Sequence, residues 1–188
     1  MEQFKEYLSR MVKLTDSEWE ILASKLIREE LPKKEIILKN GQVEKNISFV
    51  EKGTIRFFAS KGENERIFAF IFENEFACAY DSFLTQTPCL YNVETLTPTV
   101  LWRFSYETLQ WLYKEIPVSN MVGRMVSEEI YLKKARRELS ILLESPEERY
   151  LNLMAERPYL FQRIPLKYIA SYIGISPQAL SRIRNRIT

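Results

Sequence analysis

Apolar positions recur along this chain with two different periods, and the change of period divides it. In "LTDSEWEILASKLI", Thr15 and Glu18 stand three apart as a capping box, and Trp19, Leu22, Ala23 and Leu26 recur at helical spacing. An opening helix is predicted there, ended by Leu31-Pro32. From Lys34 to Phe104 the apolar runs become short or alternating: "EIILKNG", "NISFVEKG", "TIRFFASKGEN", "ERIFAFIFENE", "YNVETLTP" and "TVLWRF". Phe, Tyr, Ile and Val dominate them, and Asn40-Gly41, Lys52-Gly53 and Lys61-Gly62 supply tips where a positive φ is easily adopted. This texture predicts a compact antiparallel β-barrel or roll.

Helical spacing returns after "SYETLQWLY". Beyond Pro117 a long helix is predicted through "VSNMVGRMVSEEIYLKKARRELSILL", where Met121, Met125, Glu128, Leu132, Ala135, Leu139 and Leu142 alternate steps of four and three. That is an a/d seam with one polar interruption, and it wants a partner. The partner is either the barrel of the same chain or a second copy, and a homodimer is the expected form. Ser145-Pro146-Glu147-Glu148 then resets the chain with an N-cap, a proline at N1 and a glutamate at N3. In the helix that follows, Tyr150, Leu151, Met154 and Ala155 are expected on the packing side. The expected division is 1–116 for N-terminal helices and roll, 117–144 for the seam helix, and 145–188 for an all-α domain.

In that last domain, Pro165 can open a short helix with Ile169, Ala170 and Ile173 as its core stripe; Gly174 breaks it and Ser176 caps the next. Projected at about 100° per residue, the closing segment puts Gln178, Ser181, Arg182 and Asn185 on one face and Ala179, Leu180, Ile183 and Ile187 on the other. Helix, glycine turn and capped helix make a helix-turn-helix. A major groove admits one α-helix, and its base edges are read by Gln or Asn on adenine and Arg on guanine. Gln178 and Arg182 are therefore the expected base contacts, with Ser181 and Asn185 on the same face. Arg163, Lys167 and Arg186 are placed for phosphates, and Ser176 with the exposed amides of the helix start can bind another. An ordinary αα-hairpin with a polar outer face has the same spacing and stays open.

Charge and composition sharpen this picture. From Arg157 onward there are six basic residues and no Asp or Glu, so the total charge of +2 leaves a net −4 for the rest of the chain. An acid-free basic end suits a polyanionic partner. With no histidine, Ser-His-Asp triads, Cys-His dyads and His-ligated zinc or haem are excluded. Two cysteines, Cys78 and Cys89, are too few for a disulfide framework and lack metal-type spacing, and the five glycines are isolated rather than arranged as a phosphate loop. No catalytic, cofactor or metal residues are expected. The longest apolar run, "IFAFIF", is far below the roughly 18 residues of a membrane span, and the start lacks a signal-peptide core, so a soluble cytoplasmic protein without a membrane partner is expected.

The order of parts resembles the Crp/Fnr superfamily of bacterial transcription regulators over nearly the whole chain. "GQVEKNISFVEKGTIRFFASKGENERIFAFIFENEF" resembles that family's roll, with Gly41 and Gly53 at matching turns, and "LKYIASYIGISPQALSRI" resembles its helix-turn-helix. The resemblance implies an α+β fold with an antiparallel, jelly-roll-like β-roll sensor domain, a long dimerisation helix, and a C-terminal helix-turn-helix domain lacking a full wing. It implies base reading by Gln178, Ser181 and Arg182 and backbone contacts at Ser176 and Lys167. A palindromic double-stranded DNA operator follows, with RNA polymerase as a further candidate partner. The family's cyclic-nucleotide cassette carries a Gly-Glu pair and then a phosphate-neutralising Arg; "ENEFACAYDSFLTQTPCLYNVETL" has neither, and no Lys or Arg occurs between Arg66 and Arg103. A phosphate buried there would lack its ion pair, so cyclic AMP is not expected as effector. Phe68, Phe70, Phe72, Phe76, Tyr80 and Phe83 are expected as core, with an apolar ligand as the other reading. Two rival functions remain: a small-molecule sensor or adaptor whose basic tail binds a protein, and a cupin-like enzyme, which no metal motif supports.

Overall fold

The computed structural model describes residues 1–62 and 64–187, and of Lys61 only the backbone; Glu63 and Thr188, which the predicted runs include, lie outside them. Two helices, α1 (Glu2–Met11) and α2 (Asp16–Ser24), open the chain. Eight strands follow: β1 (Ile27–Leu31), β2 (Ile36–Leu38), β3 (Asn46–Lys52), β4 (Ile55–Lys61), β5 (Asn64–Ile71), β6 (Phe76–Ala77), β7 (Asn92–Thr95) and β8 (Thr99–Ser105). A short α3 (Tyr80–Thr85) lies between β6 and β7. After β8 come α4 (Tyr106–Glu115), α5 (Pro117–Leu143), α6 (Pro146–Glu156), α7 (Tyr159–Arg163), α8 (Leu166–Ile173) and α9 (Pro177–Ile187).

The strands form two four-stranded sheets, ordered β1-β8-β3-β6 and β2-β7-β4-β5. The pairs β1·β8, β3·β8, β3·β6, β2·β7 and β4·β7 are all antiparallel. By contacts the chain divides into two compact units: Met1–Phe58 with Phe70–Glu129, and Ala59–Ala69 with Ile130–Thr188.

In the first unit the core is aromatic. Phe4 of α1, 1% exposed, packs on Phe49 of β3 (ring centroids 4.8 Å apart) and edge-on to Phe76 of β6 (6.0 Å), while Tyr7 lies 5.4 Å from Phe49. Such tilted and edge-to-face pairs add to the area that each ring buries. Phe70, Phe72 and Phe83 are buried as the core reading expects; Phe68, Phe76 and Tyr80 are half-buried. α1 has only Phe4, Tyr7 and Leu8 as its inward stripe, too little to be evident in sequence.

The predicted capping box closes α2: the Glu18 N–H donates to Thr15 Oγ1 (3.2 Å) and the Thr15 N–H to Glu18 Oε2 (2.9 Å). Its end differs from expectation. The helix stops at Ser24, and residues 27–31, expected to be helix up to Leu31-Pro32, form β1 against β8. The reason is tertiary: "IREEL" has no buried residue of its own to betray a strand, and the ladder of β8 supplies the preference.

Gly53 and Gly41 both have positive φ, +107° and +88°. A Cβ at Gly53 would come within 2.5 Å of Thr99 Oγ1 and 2.8 Å of the Pro98 carbonyl, whereas a Cβ at Gly41 would meet nothing within 4 Å. Gly41→Ala is expected to cost only the left-handed penalty, about 1–2 kcal/mol. Gly53→Ala should cost about 1–3 kcal/mol more, from overpacking. Denaturant unfolding of the two variants measures the difference, and equal losses would show that the β3–β4 turn yields without strain.

Candidate nucleic-acid interface

In the second unit, buried Tyr150, Leu153, Leu160, Ile164, Ile169, Ala170, Ile173, Leu180 and Ile183 make a separate small core. α6 starts as predicted, with Ser145 as N-cap and Pro146 at N1; the Glu148 N–H donates to Ser145 Oγ (3.3 Å) and the Ser145 N–H to Glu148 Oε2 (2.7 Å). The packing side of α6 is a correction. Tyr150 and Leu153 face inward, whereas Leu151, Met154 and Ala155 are exposed. Two apolar stripes compete on this helix, and the edge-to-face seat of Tyr150 on Phe161, 5.3 Å between centroids, selects the i, i+3 stripe.

α8 buries Ile169, Ala170 and Ile173, as its spacing predicts. Gly174 follows at φ +84°, with the Ile175 N–H returning to the Ala170 carbonyl at 3.0 Å. A Cβ there would meet only Arg149 Nη2 at 3.8 Å, so conformation rather than space calls for glycine. Ser176 Oγ accepts from the Ala179 N–H (3.1 Å) and opens α9. On α9 the division is sharp: Leu180 and Ile183 are buried, and Gln178, Ser181, Arg182 and Asn185 are all exposed. Ile187, expected on the core face, is 38% exposed in the frayed last turn.

The basic residues expected at phosphates lie on three different helices. Arg163 closes α7, and Lys167 lies in the first turn of α8, both exposed. Arg186 is already paired with Glu147 at the start of α6. Arg182 and Asn185 also border an open groove floored by Ile175, Ala179 and Ile183.

Two arginines that spacing did not single out hold the turn. Arg149 of α6 donates from Nε to the Ile173 carbonyl (2.8 Å) and from Nη1 to the Glu144 carbonyl. Arg137 of α5 donates to the Tyr172 carbonyl (2.5 Å) with its guanidinium carbon 4.0 Å from the centroid of the Tyr172 ring. Burial holds the Arg137 pKa below its ordinary value, opposed by Tyr172. Both cap orphan carbonyls at a helix end. No local pattern marks the Ile173 and Tyr172 carbonyls as partners, because they belong to distant backbone.

α5 is two-sided. Val118, Val122 and Val126, at i, i+4 and i+8, pack inward in the first unit. The predicted seam turns away from that side: Met121, Leu132, Leu139 and Leu142 are 47–70% exposed, and Met125 and Ala135 are half-buried. Leu143, 78% exposed and one turn beyond Leu139, extends the stripe. Glu128, the polar interruption, is paired with Arg124 at 2.6 Å.

The stretch beside α3 is satisfied by its own side chains. The buried Glu44 carboxylate accepts from the Asn46 N–H (3.0 Å) and the Ala79 N–H (3.4 Å), and Ser82 Oγ accepts from the Glu44 N–H (3.0 Å) and donates to the Thr87 carbonyl (2.5 Å). Burial pushes the Glu44 carboxyl above its usual range, against the pull of those amides and of Arg103. Arg56, buried on β4, is held by Glu94 of β7 at 2.5 Å. Cys78 is half-buried and Cys89 buried. Among the described residues no cluster of His, Cys, Asp or Glu could hold a metal, and no helix is long and apolar enough to cross a membrane.

Residues 28–115 match the family model of the cyclic nucleotide-binding domain. No curated protein matches the chain in sequence. Solved structures share its fold over most of its length. The c-di-GMP-responsive global regulator CLP of Xanthomonas campestris has 17% identity and a TM-score of 0.71, over 92% of this chain and 91% of that one. FixK2 of Bradyrhizobium japonicum has 12% identity and a TM-score of 0.73, over 86% and 84%. A Crp/Fnr-family transcriptional regulator of Eubacterium rectale has 15% identity and a TM-score of 0.73, over 93% and 83%. The predicted α+β architecture of antiparallel sheets, long helix and C-terminal helices is therefore the fold of these regulators.

The capping box of α6 gives a pH test. The bonds from Ser145, backbone first, hold the Glu148 carboxyl below its ordinary value. A carboxyl depressed in the folded state stabilises it above the ordinary value of about 4.3 and loses that contribution as the pH falls through the folded pKa. Wild type should melt higher than Glu148→Gln at neutral pH, and the gap should close in acid. A gap independent of pH would mean that the ionised carboxylate contributes nothing to the cap.

Proposed function

We propose that this protein is a homodimeric, sequence-specific DNA-binding transcription regulator of the Crp/Fnr type, without catalytic activity and not controlled by cyclic AMP. The observation that carries the reading is α9. It exposes Gln178, Ser181, Arg182 and Asn185 while burying Leu180 and Ile183, behind the Gly174 turn. A helix so divided can enter a major groove with Gln and Arg presented to base edges. The acid-free stretch from Arg157 supports a polyanionic partner, with exposed Arg163 and Lys167 and the Ser176 cap of α9 as candidate phosphate contacts. Arg186 reaches a phosphate only by leaving Glu147.

The unpartnered seam of α5 supports a dimer through a second copy of that helix, and a two-fold pair of reading heads calls for a palindromic operator. Independence from cyclic AMP is supported by the occupied groups beside α3: the Ala79 amide faces the Glu44 carboxylate, Ser82 is engaged, and Arg56 is spent on Glu94. A cyclic phosphate there would meet a carboxylate instead of a free cation.

Two substitutions separate the roles around α9. Arg182→Ala should lose about 1–3 kcal/mol on a duplex selected from a random pool, with little change on random DNA. Lys167→Ala should weaken binding about equally on all sequences and lower the log–log salt slope by roughly one. Added cyclic AMP should leave the wild-type affinity unchanged. If neither substitution alters DNA binding while circular dichroism shows intact folding, an adaptor that uses the basic tail on a protein becomes the better reading.

Placing a charge on the seam, as in Leu132→Glu, should convert dimers to monomers in sedimentation at micromolar concentration. A wild-type protein already monomeric under those conditions would remove the seam from the proposal.

A further inference from the structure

The outer edge of β5 is covered by the first helix of the helix-turn-helix. Ser171 of α8 makes two bonds with one hydroxyl: Oγ accepts from the Ile67 N–H (3.0 Å) and donates to the Glu65 carbonyl (3.0 Å). One residue later on α8, Tyr172 is clamped by Arg137, whose Nη2 also lies 3.5 Å from the Ile67 carbonyl. Three successive polar groups of the β5 backbone, Glu65 C=O, Ile67 N–H and Ile67 C=O, thus meet side chains instead of another strand. An edge strand ordinarily leaves such groups to water or to a neighbouring chain. Ile67 itself is 2% exposed.

We infer that Ser171 is a positioning residue for DNA recognition: by pinning α8 to the edge of β5, its hydroxyl holds the reading helix in the arrangement that engages both halves of an operator. This rests on the DNA-binding reading above and adds to it. The sense of the effect follows from two features. The pinned state leaves Gln178, Ser181, Arg182 and Asn185 exposed, so the contact hides nothing that reads DNA. The same turn of α8 is tied to α5 through Arg137, so pinning fixes the reading helix relative to the helix that carries the seam. Two heads fixed at one spacing bind two half-sites with the second contact effectively intramolecular, and heads free to swing lose that advantage. Contact with a single half-site needs no such fixing.

The test uses the full chain with Ser171→Ala, which removes both bonds, and Ser171→Thr, which keeps the hydroxyl. In the free protein, hydrogen exchange at the Ile67 amide should quicken in the alanine variant and return toward wild type in the threonine variant. On a two-half-site duplex selected from a random pool by the wild type, Ser171→Ala should bind roughly tenfold more weakly, within the usual range of coupling between sites. Its affinity for one half-site should be unchanged, and threonine should restore two-site binding. The half-site arm separates positioning from folding, since a misfolded domain would lose both affinities. Unchanged two-site binding despite a freed Ile67 amide would overturn the inference while leaving DNA binding intact, and unchanged exchange would show that the bridge contributes nothing. A wild type with no salt-dependent affinity for any duplex would instead remove the DNA-binding reading, and this inference with it.

Discussion

Arg149 holds together three elements that the chain separates. Its guanidinium spans from the Glu144 carbonyl, just past the end of α5, to the Ile173 carbonyl at the end of α8, while its own backbone belongs to the first turns of α6. Each buried carbonyl left unmet would cost about 1–3 kcal/mol, and a planar, permanently charged donor is suited to serving two at once. The left-handed turn at Gly174 follows immediately, so the direction in which α9 departs depends on where Ile173 is held. Arg137 repeats the device one residue earlier, at Tyr172. The direction of α9 therefore rests on backbone capping from other helices as well as on its own short hydrophobic face of Leu180 and Ile183.

The same logic explains the form of α5. A helix of 27 residues with one inward stripe, Val118, Val122 and Val126, has satisfied its packing on that side. Most of its remaining apolar positions follow a different period and are exposed, with Met125, Ile130 and Ala135 half-buried. Exposed Leu132, Leu139, Leu142 and Leu143 on one face exceed the scattered apolar residues that any surface carries. Glu128, set among them, is neutralised along the helix by Arg124 rather than by a residue elsewhere in the fold. In the proposed dimer a second copy of this helix would supply the matching period.

Legibility in the sequence tracked how local the deciding interaction is. Both capping boxes, the Gly174 turn, the Pro117 and Pro146 helix starts and the exposed face of α9 are decided within four residues, and the pattern contains them. What spacing misplaced was decided at long range. β1 forms because β8 is beside it, and α6 turns on Tyr150 because Phe161 is there to receive the ring. The bonds of Arg137 to Tyr172, of Arg149 to Ile173 and of Ser171 to β5 involve carbonyls and amides far along the chain, and one backbone carbonyl looks like another in a sequence. α1 lacked a signal for a related reason: Phe4 and Leu8 read as an inward stripe only once the aromatic cluster that receives them exists.

On the proposed reading, charge constrains how DNA would approach. The basic end of the chain is not uniformly positive in three dimensions, because the start of α6 carries Glu147 and Glu148 beside the last turn of α9. Glu147 is bonded to Arg186, so that flank has little net field, and a phosphate brought there meets a carboxylate as soon as it meets the arginine. Elsewhere in this domain Lys167, in the first turn of α8, and Arg163, at the end of α7, are exposed, and Ser176 caps the N-terminal end of α9. Cationic side chains and a helix N-terminus attract the same anion and reinforce one another. A duplex backbone should therefore lie along the Arg163, Lys167 and Ser176 side. On that reading Gln178, in the first turn of α9, and Arg182, one turn further, would be the residues that meet the groove.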